Sequence, residues 1–205
     1  MCVICISPKG VRQPYEDELL DMWLANPHGA GYMVARGDNV EIHKGFMSFS
    51  DFLDQVRFER FTDDDVVIYH FRIATQGGIN PQMCHPFPYT TSTKGLKALD
   101  VQCRVGIAHN GIIRLTSNGD KELSDTALYI RDYLPKRVKN GLNDFTLKVI
   151  YADIQSRMVF LFPDGHFKKV GHWEDVDGLL YSNTNHMARY FGMSNRNMKS
   201  SAVVI

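Results

Sequence analysis

The chain has 205 residues, 44% hydrophobic and 22% charged, enough to bury one sizeable core and too ordinary in composition for a disordered or fibrous protein. Lys plus Arg and Asp plus Glu both number 23, so the formal charge is zero, and no basic run provides an electrostatic footprint for nucleic acid. No segment approaches the ~20 apolar residues needed to cross a bilayer, the start lacks a leader-like apolar core, and four cysteines are too few for a disulfide scaffold; together these predict a cytoplasmic protein with free thiols and no membrane partner.

Taken in chain order, the apolar pattern predicts a strand over Cys2–Ser7 and a helix over Glu16–Ala25, where Leu19, Leu20, Met22, Trp23 and Leu24 recur. Strands Gly31–Ala35 and Val40–His43 follow, joined through Arg36-Gly37-Asp38-Asn39, whose turn chemistry makes them an antiparallel hairpin. Ser48 or Ser50 is placed to cap a helix through Phe52, Leu53 and Val56. Strands are predicted at Val66–Phe71 and Cys103–His109, then a helix that Ser124 caps and that carries Ala127, Leu128, Ile130 and Leu134. The last strands are Leu147–Ala152, Met158–Phe162 before the turn Pro163-Asp164-Gly165, and Leu179–Tyr181. No repeat or linker divides the chain, so residues 2–190 form one domain and residues 191–205 a tail rich in Ser, Asn and Met. Many strands with few helices between them read as an α+β domain with largely antiparallel sheets.

Several residues carry chemistry. Cys2 follows the initiator methionine; trimming of Met1 would leave one residue holding both a thiol and an α-amine of reference pKa about 7.7–8.0, a nucleophile with its own general base. The plainer alternative is a small apolar residue at the start of a buried strand. Cys2 and Cys5 form a C-x-x-C, but residues three apart in a strand face opposite ways, and the eight histidines lack ligand spacing, so neither a metal nor a cofactor is expected. At the end of the strand reaching Phe71, Arg72 is suited either to a bidentate grip on a carboxylate or to simple solvation. His85 is a loop-orienting or a core histidine. Asn110-Gly111 reads as a tight turn, and equally as the amide and backbone donors of an oxyanion hole. Asp125 reads as a first-turn helix residue or as a receptor for a substrate ammonium.

The order of these segments resembles the class II glutamine amidotransferases, N-terminal-nucleophile hydrolases with cysteine as first residue. The resemblance rests on Cys2, the loop Asn26-Pro27-His28-Gly29-Ala30-Gly31, the run His70-x-Arg72-x-Ala74-Thr75-x-Gly77, then His85-Pro86-Phe87, His109-Asn110-Gly111 and Ser124-Asp125-Thr126. It is closest to the short stand-alone members, which include γ-glutamyl amidohydrolases. It implies a four-layer αββα sandwich of two packed antiparallel sheets flanked by helices, with Cys2 as nucleophile and Asn110 and the Gly111 N–H as oxyanion hole. It also implies Arg72 on the substrate α-carboxylate, Asp125 on its α-ammonium, and Thr75 and His85 along the pocket. The function implied is glutaminase chemistry through a γ-glutamyl thioester, releasing ammonia and glutamate, with a separate synthase subunit as a possible acceptor of the ammonia. Val3, His28 and Ala127 depart from common family residues, which leaves room for a larger γ-glutamyl metabolite as substrate. A catalytically silent binding module on the same fold is the alternative from another class.

Overall fold

The computed structural model describes residues 2–74, 78–115 and 122–187. Among them the strands form two antiparallel sheets. The first has seven strands in the order β10 (Glu174–Val176), β11 (Leu179–Tyr181), β1 (Val3–Ser7), β4 (Val67–Phe71), β2 (Ala30–Ala35), β3 (Val40–Phe46) and β6 (Asp100–Cys103). The second has four, β5 (Phe87–Pro88), β7 (Gly106–Asn110), β8 (Arg157–Leu161) and β9 (Phe167–Val170). The helices are α1 (Glu16–Ala25), α2 (Phe49–Glu59), the short α3 (Thr93–Lys97), α4 (Asp125–Leu128), α5 (Leu134–Arg137) and α6 (Asp144–Ile154), with one π-helical turn at Tyr129–Tyr133 joining α4 to α5.

Strand alternation sorts the apolar side chains into three cores and thereby sets the layers. On β1, Ile4 and Ile6 face inward with Met33, Ile42 and Ile68 of their own sheet and meet Ala108, Val159 and Leu161 of the other. Val3 and Cys5 point the opposite way, into a core with Tyr32, Tyr69 and Phe71 that is covered by Leu19 and Met22 of α1 and Phe52 of α2. On the far side, Ile107, Met158 and Phe160 pack under Ala127, Leu134, Ile150 and Ile154 of α4 to α6. The result is the αββα order of helix, sheet, sheet, helix expected from the sequence. Cys2 and Cys5 accordingly do not form a pair: Cys5 is buried beneath α1, and all four thiols are free.

Two predicted elements need correction. Leu147–Ala152 is not a strand but the middle of α6: Asn143 caps it by accepting from the Thr146 N–H at 2.9 Å, and Thr146, Ile150 and Ile154 form its buried face at a spacing of four. The β-branched run suggested a strand, yet helical periodicity and the cap prevail. Cys103–His109 is likewise not one strand. It is divided between β6 and β7, which lie in different sheets, so the chain crosses from one layer to the other around Arg104. The hairpin between β2 and β3 and the turn between β8 and β9 form as expected, and the caps at Ser48 and Ser124 accept from Asp51 N and Ala127 N. The tail from residue 191 lies outside the described residues.

Candidate active site

Strand pairing brings the chemistry-bearing residues to one end of the sandwich. Val3 pairs with Phe71, so Cys2, just before β1, lies beside the residues that follow β4. Its Sγ accepts from the Ile73 N–H at 3.3 Å and donates to the Ile73 carbonyl at 3.5 Å, and its own carbonyl accepts from Asn183 Nδ2 at 2.8 Å. Burial pushes the Cys2 thiol above its usual pKa, opposed by the Ile73 N–H and the nearby Arg72 charge. Among the described residues no side-chain base touches the sulfur.

From the facing sheet, Asn110 ends β7 and pairs with Arg157 at the start of β8. β7 pairs with β5 and β8 and has no hairpin partner beyond Asn110-Gly111, so this pair is not a hairpin turn. Gly111 is required for a packing reason: a Cβ there would lie 2.3 Å from Ser156 Cβ. A cavity of about 270 Å³ is lined by Cys2, Ile73, Asn110 and Gly111 together with Ile112, Gln155, Ser156 and Arg157. The three residues expected to do covalent chemistry therefore share one space.

His109, just before Asn110, is fully engaged. Its Nδ1 lies 2.8 Å from Thr126 Oγ1 and its Nε2 lies 2.7 Å from Ser156 Oγ, tying β7 to α4 and to the turn before β8. Burial pushes its pKa down to about 3, which keeps the ring neutral. Asp125 is drawn into the same framework: its carboxylate accepts from the Ile113 N–H at 2.7 Å and from the Thr126 N–H at 2.8 Å. Burial raises its pKa, while those two N–H groups and Arg72 oppose the rise.

Arg72 is 3% exposed, so it is not a solvated strand-end charge. One of its Nη groups donates to the Gly78 carbonyl at 2.8 Å, and the loop before β2 holds its backbone: His28 N donates to Arg72 O at 2.9 Å and Arg72 N to Gly29 O at 2.8 Å. His28 Nδ1 accepts from Ala74 N at 3.0 Å, so the residue that departs from the family pattern supports this segment. Gly29 admits the approach, since a Cβ there would lie 2.5 Å from Cys84 Sγ. His85 is buried and stacked on His70 with ring centroids 4.3 Å apart, and neither of its ring nitrogens has a partner among the described residues. Neither His85, Arg72 nor Asp125 borders the cavity on Cys2, and Thr75 lies outside the described residues.

Beneath this region Lys44 is buried, with Nζ donating to Gln82 O (2.9 Å) and Leu96 O (2.8 Å) and lying 3.7 Å from the Phe87 ring centroid. Burial lowers its pKa to about 7. Sequence reasoning missed Lys44, Ser156 and Arg157, and it noted Ser182-Asn183-Thr184 only for lacking a Ser-Glu pairing, without assigning Ser182 or Asn183 a role. For Lys44 a signal existed, because it continues the inward register of Val40 and Ile42 on β3. For Ser182 and Asn183 the only signal was two polar residues directly after the apolar strand Leu179–Tyr181.

No protein-family model matches the chain, and no curated protein matches it. Among solved structures it is similar to a glutamine phosphoribosylpyrophosphate amidotransferase from B. subtilis complexed with ADP and GMP, at 14% identity and a TM-score of 0.45 over 92% of this chain and 43% of that one. A structure described as the allosteric regulatory enzyme of purine biosynthesis is similar to the same degree, with 14% identity, a TM-score of 0.45 and the same coverage, so the chain spans less than half the length of either protein.

Proposed function

We propose that the chain is an N-terminal-cysteine amidohydrolase of the glutaminase type. The observation that carries this reading is the single cavity in which Cys2, Asn110 and Gly111 meet. A thiol whose pKa is raised by burial is a poor nucleophile unless a base takes its proton, and Sγ bonds only to the Ile73 backbone among the described residues. The base in reach is then the α-amine of Cys2 itself, freed when Met1 is removed. That amine takes the thiol proton while sulfur attacks the γ-carboxamide carbon. Charge gathering on the amide oxygen is met by the Asn110 side chain and the Gly111 N–H. The C–N bond breaks, the proton passes to the departing amine, and a γ-glutamyl thioester remains. Water, deprotonated by the same α-amine, adds to the thioester carbon and expels the thiol, giving glutamate. In this reading Arg72 and Asp125 hold the α-carboxylate and α-ammonium, and Thr75 and His85 shape the binding side; the protein works in the cytoplasm, with any acceptor for released ammonia on a separate subunit.

A second reading, in which the substrate is a larger γ-glutamyl amide, is favoured by the reach of the cavity past Gly111 to Gln155, Ser156 and Arg157. Its volume is several times the ~30 Å³ share of one water, more than departing ammonia needs. Arg157 donates from Nε to His172 O at 3.4 Å and pairs with no carboxylate among the described residues, so it is available to an anionic amine substituent.

The test is intact-mass measurement before and after incubation with the glutamine-mimicking diazoketone 6-diazo-5-oxo-norleucine. The expected result is loss of one methionine and a single adduct mapped to Cys2. Retained Met1 or an unmodified Cys2 rejects the glutaminase reading and leaves the binding module. Comparing glutamate release from glutamine and from γ-glutamyl amino acids then separates the two substrates.

A further inference from the structure

Oxyanion stabilisation by Asn110 requires its NH2 group, not its carbonyl oxygen, to point toward the reacting amide. The two ends of a carboxamide have the same shape, so hydrogen-bond bookkeeping decides which end faces where. On one side of Asn110 lies Ser182 Oγ, 2.8 Å from Nδ2, while Oδ1 on the other side is buried without a partner among the described residues. Ser182 Oγ already accepts the Ile4 N–H at 2.9 Å. With Nδ2 facing it, the hydroxyl accepts twice and its own proton has no acceptor among the described residues, while a carbonyl oxygen stays buried and unsatisfied. Turning the amide over lets the Ser182 hydroxyl donate to Asn110 Oδ1 and puts NH2 in the place of the orphaned oxygen, where its protons have no acceptor among the described residues and await the oxyanion.

We infer that Ser182 is a positioning residue that fixes the Asn110 carboxamide with its NH2 group free for the oxyanion, a role that rests on the acyl-transfer reading above. The logic is directional. Ser182 receives the Ile4 N–H, which commits its single proton to Asn110, and Ser182 N donates to Ile4 O at 3.0 Å, which anchors the residue to β1 next to the nucleophile. The start of β1 therefore carries Cys2 and, two residues on, sets the donor that serves it. Asn183 completes the link by donating to the Cys2 carbonyl. The residues after β11 thus hold nucleophile and oxyanion donor in register, although about 180 positions separate them from Cys2.

Two measurements test the inference. In steady-state hydrolysis of a γ-glutamyl substrate that wild type turns over, Ser182→Ala is expected to lower kcat by about 10–100-fold with KM little changed, and Ser182→Thr, which restores the hydroxyl, to recover activity to within about threefold. In an Asn110→Ala background, Ser182→Ala is expected to cost nothing further, because its effect passes through Asn110. An additive loss, or unchanged kcat in a folded Ser182→Ala protein, overturns the inference while leaving the proposed function standing. A wild-type protein whose Cys2 is inert to the diazoketone overturns both. Independently of activity and of variants, neutron diffraction from deuterated protein is expected to show two deuterons on the Asn110 atom remote from Ser182 and one deuteron on Ser182 Oγ aimed at Asn110. Deuterons on the Asn110 atom facing Ser182 overturn the inference outright.

Discussion

The two sides of the site are built differently. On the oxyanion side, Cys2, Asn110, Gly111, Ser156 and Arg157 border an open cavity. On the side expected to bind the substrate's α-groups, Arg72, Asp125 and His85 do not border that cavity, and Arg72 and Asp125 are tied to backbone: Arg72 to the Gly78 carbonyl, Asp125 to the Ile113 and Thr126 N–H groups. One side offers reactive groups to a ligand; the other holds its charges in protein hydrogen bonds that a ligand would share. It follows that substitutions on the first side should change rate far more than stability, whereas those on the second should change both alike.

The largest effect sharpens the contrast. Cys2→Ala removes the only thiol among the described residues lining the cavity and should abolish glutamate release while leaving the thermal midpoint within a few degrees of wild type, because the loss is one small, partly buried sulfur that bonds only to Ile73 among the described residues. Comparing turnover with a melting curve checks it. Next comes Asn110→Ala, expected to lower kcat by about 10²–10³-fold, the usual effect of losing one oxyanion donor, with about 1–3 kcal/mol lost in stability because the buried Ser182 hydroxyl loses a partner. A fall in stability without a fall in kcat would break the comparison at its centre. Crossing to the second side, Asp125→Asn leaves one carbonyl oxygen for two backbone N–H groups, so one of Ile113 N and Thr126 N loses its acceptor. Denaturant unfolding should show a loss of about 1–3 kcal/mol alongside a raised KM.

The same contrast explains what the sequence made legible. Cys2, Arg72, Asn110-Gly111 and Asp125 each had a plainer alternative when taken singly, and it was the order of their short runs along the chain that marked them as candidates. The residues that hold them lacked even that. Ser182 reaches Asn110 across 72 positions and Ser156 reaches His109 across 47, and a lone serine at the end of an apolar strand carries no local mark of its partner. The stacking of His85 on His70 is likewise a tertiary fact with no periodic signature. In the fold, the continuous apolar run of β1 and the alternation of β3 were readable, as was α1 with its recurring Leu19, Leu20, Met22, Trp23 and Leu24. α6 was not, because a β-branched run outweighed an asparagine cap four residues upstream of Leu147.

A smaller effect is expected from Arg157. If it receives an anionic amine substituent, Arg157→Ala should raise KM for γ-glutamyl amino acids by about tenfold, the scale of one partly exposed charge-assisted contact, and leave KM for glutamine unchanged. Equal effects on both substrates would assign Arg157 to the acyl side instead and remove the argument for a larger leaving group.

The smallest effect lies deepest on the second side, at Lys44. Its pKa of about 7 in the fold is below the 10.5 of the free side chain, so between these values the unfolded chain holds a proton that the folded one has released. Stability therefore rises with pH across this window, and the penalty for burying the ammonium is present in full below pH 7. The buried histidines act in the same direction at lower pH: with His70 and His109 at about 3 and an unfolded value near 6.5, stability falls as the medium is acidified through that interval. Asp125, raised by burial, opposes them in the acid range, which makes the neutral-to-alkaline interval the cleaner one. Between pH 7 and about 7.7, before the four cysteines, whose pKa values burial raises in the fold, ionise appreciably in the unfolded chain and oppose the trend, urea unfolding of the wild type should show a slope of up to about 1.4 kcal/mol per pH unit from this one group. Lys44→Met should flatten that slope while leaving the Gln82 and Leu96 carbonyls without the lysine donor, so the variant is less stable at pH 8.5 and closest to wild type at pH 7. A wild-type slope that survives the substitution would show that Lys44 stays charged in the fold and that its two carbonyls and the Phe87 ring are sufficient solvation for an ammonium.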